Sequence, residues 1–343
     1  MTTLACRMAS EISDNVAASP PLEAHRVFIT GVAGFVGSRI ARELCEAGGS
    51  VVGVDNFVCG YEHNLSWVRP EHRFVLHRLC IATDAAAVRA LLAPDDVVLH
   101  LAAITALAQN QEDPGASYVN NVASTAALLE SARIVGAAHF VFASTSAVYE
   151  HAATYPVAED APRRTPDLIY SLGKAHCEDL VRAAHSVYGL PYTIMRFFNV
   201  FGPGADGART HPPLIPYLIC ELRAGRPPLL HSDGQQRRDY IYVEDLTRLM
   251  RLLFMHGPLN TEINLCSGCT HSVREIVAVV QAALGGAAAA VEPVYRDPAL
   301  LWEKSGKLWA GARPFPAARM REEVEKYCLG DGARVKALLG WVS

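Results

Sequence analysis

The sequence lacks the features typical of membrane-spanning, secreted and nucleic-acid-binding proteins. No apolar run approaches the roughly 20 residues that a helix needs to span a bilayer. Residues 1–24 are rich in Ala, Ser and Pro and have no apolar signal-peptide core. Lys and Arg total 31 against 35 Asp and Glu, which gives a net charge of −4 and no basic surplus for a nucleic-acid backbone. These absences predict a cytoplasmic protein with neither a membrane nor a nucleic acid as partner.

Cysteine occurs nine times, an odd number scattered along 343 residues. This scatter favours reduced thiols over a disulfide scaffold. Cys266 and Cys269 have C-x-x-C spacing, but no second pair of ligands follows to complete a zinc site. We therefore predict no metal and interpret the pair as part of a turn, with a redox pair as the less favoured alternative.

Half of the residues are hydrophobic and 19% are charged, which predicts a folded chain with a sizeable core. Short apolar runs alternate with helical stretches, an order typical of a parallel sheet covered on both faces. The apolar runs occupy 27–29, 51–54, 97–101, 139–142 and 192–196, and the helical stretches occupy 84–92, 115–136 and 170–189. We therefore predict an α/β fold with a Rossmann-type, doubly wound parallel sheet. Prolines cluster after residue 200, which indicates a smaller C-terminal lobe.

Three glycines directly follow the first apolar run and precede a helical pattern. Gly31, Gly34 and Gly37 have G-x-x-G-x-x-G spacing, which lets backbone N–H groups approach a pyrophosphate at a helix N-terminus. Asp55 ends the next apolar run, 18 residues after Gly37 (55 − 37). A carboxylate there can accept from both ribose hydroxyls of NAD and repels the extra phosphate of NADP. The pattern predicts an NAD site, and the alternative is a glycine turn that binds nothing.

Tyr170 and Lys174 have Y-x-x-x-K spacing, which places both side chains on one face of a helix. A lysine ammonium beside a phenol favours the phenolate, so we expect the pKa of Tyr170 to lie below its usual value of about 10. Tyr170 would then be a general base near neutral pH. Thr145 lies in a hydroxyl-rich run after the apolar run 139–142 and can hydrogen-bond the same substrate oxygen. The alternative is an ordinary surface pair of tyrosine and lysine.

Over residues 26–341 the chain resembles the extended short-chain dehydrogenase/reductase family, in its nucleotide-sugar epimerase/dehydratase branch. The motifs that carry this resemblance are Gly31–Gly37, Asp55–Phe57, His100–Ala103, Asn121, Ser144–Ser146, Tyr170 with Lys174, Arg196–Pro203, Arg238–Tyr240 and Leu339–Trp341. The resemblance implies an NAD-binding Rossmann domain over 25–200 and a lobe over 201–343 that mainly binds a nucleoside-diphosphate sugar, usually a UDP-sugar. Residues 1–24 are expected to be a tail outside this fold.

The resemblance also implies roles for individual residues. The expected cofactor-binding residues are Gly31, Gly34, Phe35, Val36, Gly37, Asp55, Asn56, Leu101, Ala102, Ala103, Asn121, Tyr170 and Lys174. The expected substrate-binding residues are Thr145, Ser146, Tyr149, Asn199, Arg209, Arg238 and Tyr327. Thr145, Tyr170 and Lys174 are the expected catalytic set. For Arg238, an ion pair in the Asp239 region is the alternative to contact with the sugar diphosphate.

The residues after Thr145 discriminate between the reactions of this branch. Members that eliminate water across C5–C6 resemble Thr-Asp-Glu there, and members that decarboxylate a uronic acid carry Glu where this chain has Ala147. With Ser146 and Ala147, the chain looks like the C4-epimerases. We therefore expect an NAD-dependent 4-epimerase of UDP-glucose/galactose or UDP-glucuronate/galacturonate. The alternatives are a decarboxylase, dehydratase or 4-keto reductase of the branch, or a non-catalytic NAD-binding protein.

Some positions depart from the family's pattern. At Cys80 and Ile81 the usual adenine-contacting Asp is missing, so that contact is expected to be lost or made otherwise. Glu150 replaces the usual Gly and is expected to be a solvated loop charge, or else a polar group facing the active site. Tyr327 is matched to the position that limits the sugar's C2 substituent, which would leave little room for an N-acetyl group. Arg209 can pair a C6 carboxylate or remain solvated.

The helical stretches 115–136 and 170–189 carry apolar residues at helical spacing. The resemblance implies a homodimer in which these stretches form a four-helix bundle. Packing of the same residues on the sheet is the alternative explanation.

Overall fold

A computed structural model describes residues 26–162, 165–207 and 209–343, so the expected tail at 1–24 lies outside the described residues. Seven strands form the central sheet: β1 (Arg26–Thr30), β2 (Ser50–Asp55), β3 (Phe74–Arg78), β4 (Val97–His100), β5 (His139–Thr145), β6 (Tyr192–Phe197) and β10 (Glu262–Leu265). They are all parallel, in the order β10-β6-β5-β4-β1-β2-β3. The strand order reverses between β1 and β4, which is the doubly wound topology that the sequence predicts, and ligands bind at such a switch point.

Helices cover both faces of this sheet and build the lobe. They are α1 (Phe35–Glu46), α2 (Ala85–Leu91), α3 (Leu107–Glu112), α4 (Pro114–Tyr118), α5 (Ser124–Val135), α6 (Ile169–Tyr188), α7 (Leu214–Arg223), α8 (Val243–His256), α9 (Val273–Leu284), α10 (Gly306–Trp309), α11 (Ala317–Glu325) and α12 (Ala333–Leu339). A single wide turn, Val119–Ala123, joins α4 to α5. The predicted stretches 115–136 and 170–189 therefore correspond to α4–α5 and α6.

The two faces of the sheet bury alternate side chains of each strand, as the two-residue period of a strand requires. On one face, Val27 and Ile29 of β1 pack with residues of α1 and α8, including Leu44 and Leu249. On the other face, the intervening Phe28 packs with residues of α5 and α6. The strands read as continuous apolar runs because both faces are covered.

The remaining strands lie outside the central sheet. They are β7 (Asn199–Phe201), β8 (Leu229–His231), β9 (Arg237–Tyr242), β11 (Thr270–Ser272) and β12 (Val294–Arg296). They form a three-stranded sheet, β11-β9-β7, and a pair, β12-β8. A separate apolar cluster joins α7 to α9 and forms the core of the lobe. The sequence after residue 200 also supplies β10 and α8 to the Rossmann part. Among the described residues, none of the helices is long and apolar enough to cross a bilayer.

Candidate active site

The glycine loop between β1 and α1 has a shape that only glycine allows. Gly31 has φ +73°, and a Cβ there would lie 2.8 Å from the backbone N of Ala102. A Cβ on Gly37 would lie 2.2 Å from the carbonyl O of Gly31. The loop therefore brings its bare backbone to the N-terminus of α1, where N–H groups and the helix dipole favour a phosphate.

Asp55, the last residue of β2, faces this loop. Its carboxylate accepts hydrogen bonds from the backbone N of Ala33 (2.9 Å) and of Phe57 (2.8 Å), which fix its orientation. Burial raises the pKa of Asp55, and the two backbone donors oppose that rise. Each oxygen keeps a free lone pair for a ribose hydroxyl.

A cavity runs along the carboxyl ends of β1 to β4, between the glycine loop and the loop after β4. Of the expected cofactor-binding residues it is lined by Gly31, Gly34, Asp55, Asn56, Leu101, Ala102 and Ala103. Cys80 and Ile81 line it as well. The cavity therefore has a thiol and an apolar side chain at the place where the family's adenine-contacting Asp would be. Phe35, Val36 and Gly37 form the first turn of α1 beside it.

Asn121 is a correction to the expected cofactor contacts. Its side chain is 4% exposed, and its Oδ1 accepts from the backbone N of Ile104 at 2.8 Å. Its Nδ2 donates to the carbonyl O of Ile104 (3.0 Å) and to Oδ1 of Asn110 (3.1 Å). Because the amide's hydrogen-bonding groups are occupied, Asn121 holds the loop after β4 in place and does not itself face the cavity.

The fold brings the three expected catalytic residues together. Thr145 ends β5, and its side chain hydrogen-bonds the half-buried phenol of Tyr170 in the first turn of α6. Thr145 Oγ1 also accepts from the backbone N of Ala147 at 3.2 Å. Lys174 lies one turn further along α6, 4% exposed, and its Nζ donates to the carbonyl O of Ala143 at 2.7 Å.

The expected low pKa of Tyr170 is wrong for the protein alone. Burial raises the pKa of Tyr170 to about 12, and the hydrogen bond to Thr145 and the charge of Arg209 oppose that rise. Burial also lowers the pKa of Lys174 to about 8. The ammonium of Lys174 is turned to the end of β5, so the cationic residue that acts on the phenol is Arg209.

Arg209 lies in the site, and the solvated alternative is wrong. Burial lowers the pKa of its guanidinium, which interacts with Tyr170, Asp206 and Cys59. Its Nε donates to the carbonyl O of His211 at 2.8 Å. Asp206 in turn accepts from the Tyr61 hydroxyl at 2.6 Å, so the loop after β7 meets the loop after β2 at the edge of the cavity. His211 is a structural contact, since its Nε2 lies 3.1 Å from Ser305 Oγ.

Tyr149 belongs to a buried hydrogen-bond network beside the candidate site. Its ring is 8% exposed, and its hydroxyl donates to Asn264 Oδ1 (2.8 Å) and accepts from Arg196 (2.7 Å). Burial raises the pKa of its phenol. The hydroxyl is therefore held by this buried network, and the expected contact of Tyr149 with the sugar or nicotinamide stays a prediction.

Arg238 and Asn199 meet at the three-stranded sheet. Arg238 donates to the carbonyl O atoms of Val324 (2.9 Å) and Glu323 (3.2 Å) at the end of α11. The exposed Asn199 donates through Nδ2 to the carbonyl O of Asp239 at 2.7 Å. The alternative ion pair of Arg238 with Asp239 is wrong, because the carboxylate of Asp239 accepts from backbone and hydroxyl groups such as those of Ser267.

Comparison with known proteins identifies the family. The model of the NAD dependent epimerase/dehydratase family matches residues 27–266. The chain belongs to this family. It is 30% identical over 295 residues to a UDP-glucose 4-epimerase of Streptomyces lividans, which covers 82% of this chain and 88% of the relative. It is 33% identical over 275 residues to a dTDP-glucose 4,6-dehydratase of Streptomyces griseus, with coverage of 78% and 81%.

A solved member of the family has the same fold over most of its length. The UDP-glucose 4-epimerase of Thermotoga maritima, solved with UDP-glucose, aligns with a TM-score of 0.78 at 25% identity and covers 92% of this chain and 93% of its own. As in the family, the cofactor is NAD. The glycine loop and Asp55 fit it, since Gly31 and Gly37 allow the tight turn that leaves the N-terminus of α1 open to a pyrophosphate, and Asp55 lies where it can accept from the ribose hydroxyls.

Cys328, rather than the neighbouring Tyr327, lies against Ser146. The thiol of Cys328 hydrogen-bonds Ser146, and Cys328 pairs with Arg238 through a backbone bridge. The neighbouring Tyr327 is 38% exposed and lies edge-on to Tyr155, lining a separate depression on the lobe. The match of Tyr327 to the position that limits the sugar's C2 substituent stays a prediction.

The solvated interpretation of Glu150 is also wrong. Its side chain is 2% exposed and forms an ion pair with Arg319 of α11. The carboxylate of Glu150 at a position where the family has Gly was a signal that this residue has a specific contact. Its partner could not be predicted, because Arg319 lies 169 residues further along the chain (319 − 150).

Proposed function

We propose that this protein is an NAD-dependent 4-epimerase of a UDP-sugar that works through a transient 4-keto sugar. The observation that carries the proposal is the chemistry of the strand end beside Tyr170. Thr145, Ser146 and Ala147 offer two hydroxyls and a methyl group there. Elimination or decarboxylation would need an acid or base in these positions, whereas epimerisation needs a hydroxyl and the phenol.

The residues present can carry out every proton step of this reaction. Tyr170 accepts the proton of the sugar 4-hydroxyl, and Thr145 holds O4 by a hydrogen bond. NAD, when bound, supplies the acceptor that takes the C4 hydride and gives it back. After the ketone has turned in the pocket, hydride returns to its other face and Tyr170 returns the proton to O4. There is no net change in oxidation state, so the pocket has no need to release its cofactor.

The charge of Arg209 beside Tyr170 supports a uronic acid as one of the substrates, because a guanidinium pairs well with a C6 carboxylate. Because Cys328 lies against Ser146 and Tyr327 lines a separate depression, we propose that Cys328 rather than Tyr327 limits the sugar's C2 substituent, which leaves room for an N-acetyl group. We therefore propose UDP-glucuronate/galacturonate and UDP-glucose/galactose as the substrate pairs to test first, with UDP-N-acetylglucosamine as the third.

Proton NMR of the products tests the proposal directly. Each UDP-sugar is incubated with the purified protein and catalytic NAD, and a galacto-configured product from any of them supports 4-epimerisation. The Tyr170→Phe variant is the control: we expect it to lose turnover and keep its NAD, whereas a non-catalytic NAD-binding protein would have no turnover to lose. Loss of C6 as carbon dioxide or accumulation of a 4-keto-6-deoxy sugar would contradict the proposal.

We also propose that the protein is a cytoplasmic homodimer. Val119, Ile134 and Val187 are at least half exposed on the α4–α6 layer, although most apolar residues of these helices pack inward. A second copy that covers these side chains would bury them in a four-helix bundle. Light scattering in solution tests the dimer.

A further inference from the structure

A segment of the lobe packs over the catalytic part of the Rossmann domain. We call residues 297–325, which lie between β12 and α12, the cap segment. Its Trp302 (5% exposed) and Met320 (0%) bury against Ala108 of α3. Its Ser305 contacts His211, in the loop that carries Arg209. The cap segment therefore reaches the elements that surround Tyr170.

A largely buried ion pair joins Arg319 of the cap segment to Glu150. The side chains are 18% and 2% exposed, and Glu150 directly follows the turn Ser146–Tyr149 after the catalytic strand end. Glu150, His151 and Asp167 have the spacing of a cation site, with ligand atoms within 4.8 Å of one another. The cation that this cluster surrounds is the guanidinium of Arg319, which also lies 4.0 Å from Asp167.

The same carboxylate of Glu150 reaches the start of the catalytic helix. Its Oε2 accepts from the backbone N of Leu168, the N-cap residue of α6, at 3.4 Å. The next N–H, that of Ile169, donates to Gln111 Oε1 of α3 at 3.2 Å. The first N–H groups of a helix have no partner within it, and the apolar side chain of Leu168 cannot supply one. Two residues from other elements therefore fix the turn that carries Tyr170.

We propose that Arg319 is a positioning residue for Tyr170, which it orients through Glu150 and the N-terminus of α6. The expected loss of turnover rests on the proposed function. The expected loosening of the first turn of α6 follows from the structure alone. Without Arg319, the buried Glu150 carboxylate has lost its main countercharge and turns toward water or takes up a proton. Either change weakens its bond to Leu168 and loosens the first turn of α6. Because proton transfer depends on the placement of the phenol, turnover falls before substrate binding does.

The test uses Arg319→Met, Glu150→Gln and the double variant, with Arg321→Met as the matched control. Arg321 lies on the same helix, and its ion pair with Asp297 is at the surface. In the cofactor-free protein, we expect faster amide hydrogen exchange in a peptide covering 165–172 for Arg319→Met and Glu150→Gln, and no change for Arg321→Met. This readout does not depend on which sugar is the substrate, so it stands even if epimerisation is not found.

With the substrate found by NMR, we expect kcat to fall about tenfold in Arg319→Met, with KM and bound NAD close to wild type. The double variant should be no worse than Arg319→Met, because both residues act through one contact. Glu150→Gln keeps the side-chain oxygen that accepts from Leu168, so its kcat should fall less. Unchanged exchange at 165–172 would overturn the proposal. A parallel loss of kcat, substrate affinity, NAD content and melting temperature would overturn it too, since that pattern belongs to a purely structural ion pair.

Discussion

In the proposed reaction the chemistry depends on the phenol of Tyr170, and the surroundings of this residue set the pH at which it can accept a proton. Burial raises its pKa to about 12, while the hydrogen bond to Thr145 and the charge of Arg209 lower it. The buried Lys174 has a pKa lowered to about 8 and donates to the backbone of β5. Arg209 therefore has a second role besides any contact with the sugar, which is to keep the phenol closer to the working pH.

Replacing Arg209 should shift the pH dependence of turnover. The removal of a positive charge raises the pKa of Tyr170, and the base is active in its deprotonated form. The acid limb of the kcat profile therefore moves to higher pH in Arg209→Met, and kcat at neutral pH falls about tenfold for every pH unit by which the limb moves. Arg223→Met, at an exposed site on α7, is the control and should keep the wild-type profile. Superimposable profiles for wild type and Arg209→Met would contradict this account.

The sequence predicted which residues the fold brings together at the candidate site but not their electrostatics. The spacing of Tyr170 and Lys174 fixes their shared helix face, and the structure places both beside Thr145. The pKa values depend on burial and on Arg209, which follows Tyr170 by 39 residues (209 − 170) and reaches it only in the folded chain. Tyr149 fits the family's pattern by position, yet its hydroxyl is held by Arg196 and Asn264 from two different strands.

At the scale of elements, α6 is held to the sheet by a buried charge cluster one turn beyond Lys174. Glu178 is 0% exposed and accepts from Ser144 Oγ (2.6 Å) and from Arg196 of β6 (2.8 and 2.9 Å). Hydrogen bonds from these groups and the charge of Arg182 lower the pKa of Glu178 although burial raises it. Ser144 directly precedes Thr145 at the end of β5. The cluster therefore fixes α6, which carries Tyr170, relative to the end of β5 that carries Thr145.

Neutralising Glu178 should therefore destabilise the whole domain. Glu178→Ala removes the carboxylate that hydrogen-bonds the buried guanidinium of Arg196, and the free energy of unfolding should fall by about 3–5 kcal/mol. Asp179→Ala is the adjacent control: its ion pair with Arg182 has a 52% exposed carboxylate and should contribute at most about 1 kcal/mol. Urea denaturation followed by circular dichroism measures both. Equal losses of unfolding free energy in the two variants would contradict the stabilising role of the buried charge cluster around Glu178.

Elements that carry a continuous apolar run could be predicted from the sequence, and elements without such a run could not. Continuous apolar runs predicted β1, β2, β4, β5 and β6, because burial on both faces leaves a strong signal. The cap segment is built from short helices such as α10, only four residues long, which are stabilised by packing of Trp302 and Met320 and have no periodicity of their own. The strand β10 has no continuous apolar run, because polar Glu262 and Asn264 alternate with Ile263 and Leu265, so its place in the central sheet is evident only in the folded chain.

At the scale of the whole molecule, one side of the Rossmann domain carries exposed apolar residues on α4–α6. Ile134 is 50% exposed and Val187 is 69% exposed there. If these helices form the proposed dimer, Ile134→Asp should reduce the mass in solution from twice that of one chain to that of one chain. Val279→Asp, at an apolar residue of the lobe that is 64% exposed, is the control and should leave the dimer intact. A wild-type protein that elutes as a monomer at all concentrations would contradict the proposal.

The two parts of the molecule meet at the candidate site. The Rossmann part holds the NAD cradle, Thr145 and Tyr170, and the lobe brings Arg238 and Cys328 against the same site. The family includes both epimerases and dehydratases, and these differ in which bonds to carbon break. Epimerisation breaks and remakes only the bond between C4 and its hydrogen, whereas dehydration must also remove the hydrogen at C5.

Turnover in D2O, followed by proton NMR of the sugar product, tests this central claim most directly. The account predicts a C4-epimerised UDP-sugar that retains its hydrogen at C4 and at C5, because the hydride leaves and returns without exchange with solvent. Deuterium at C5 or C6, or a 4-keto product that accumulates, would contradict 4-epimerisation and identify elimination as the reaction.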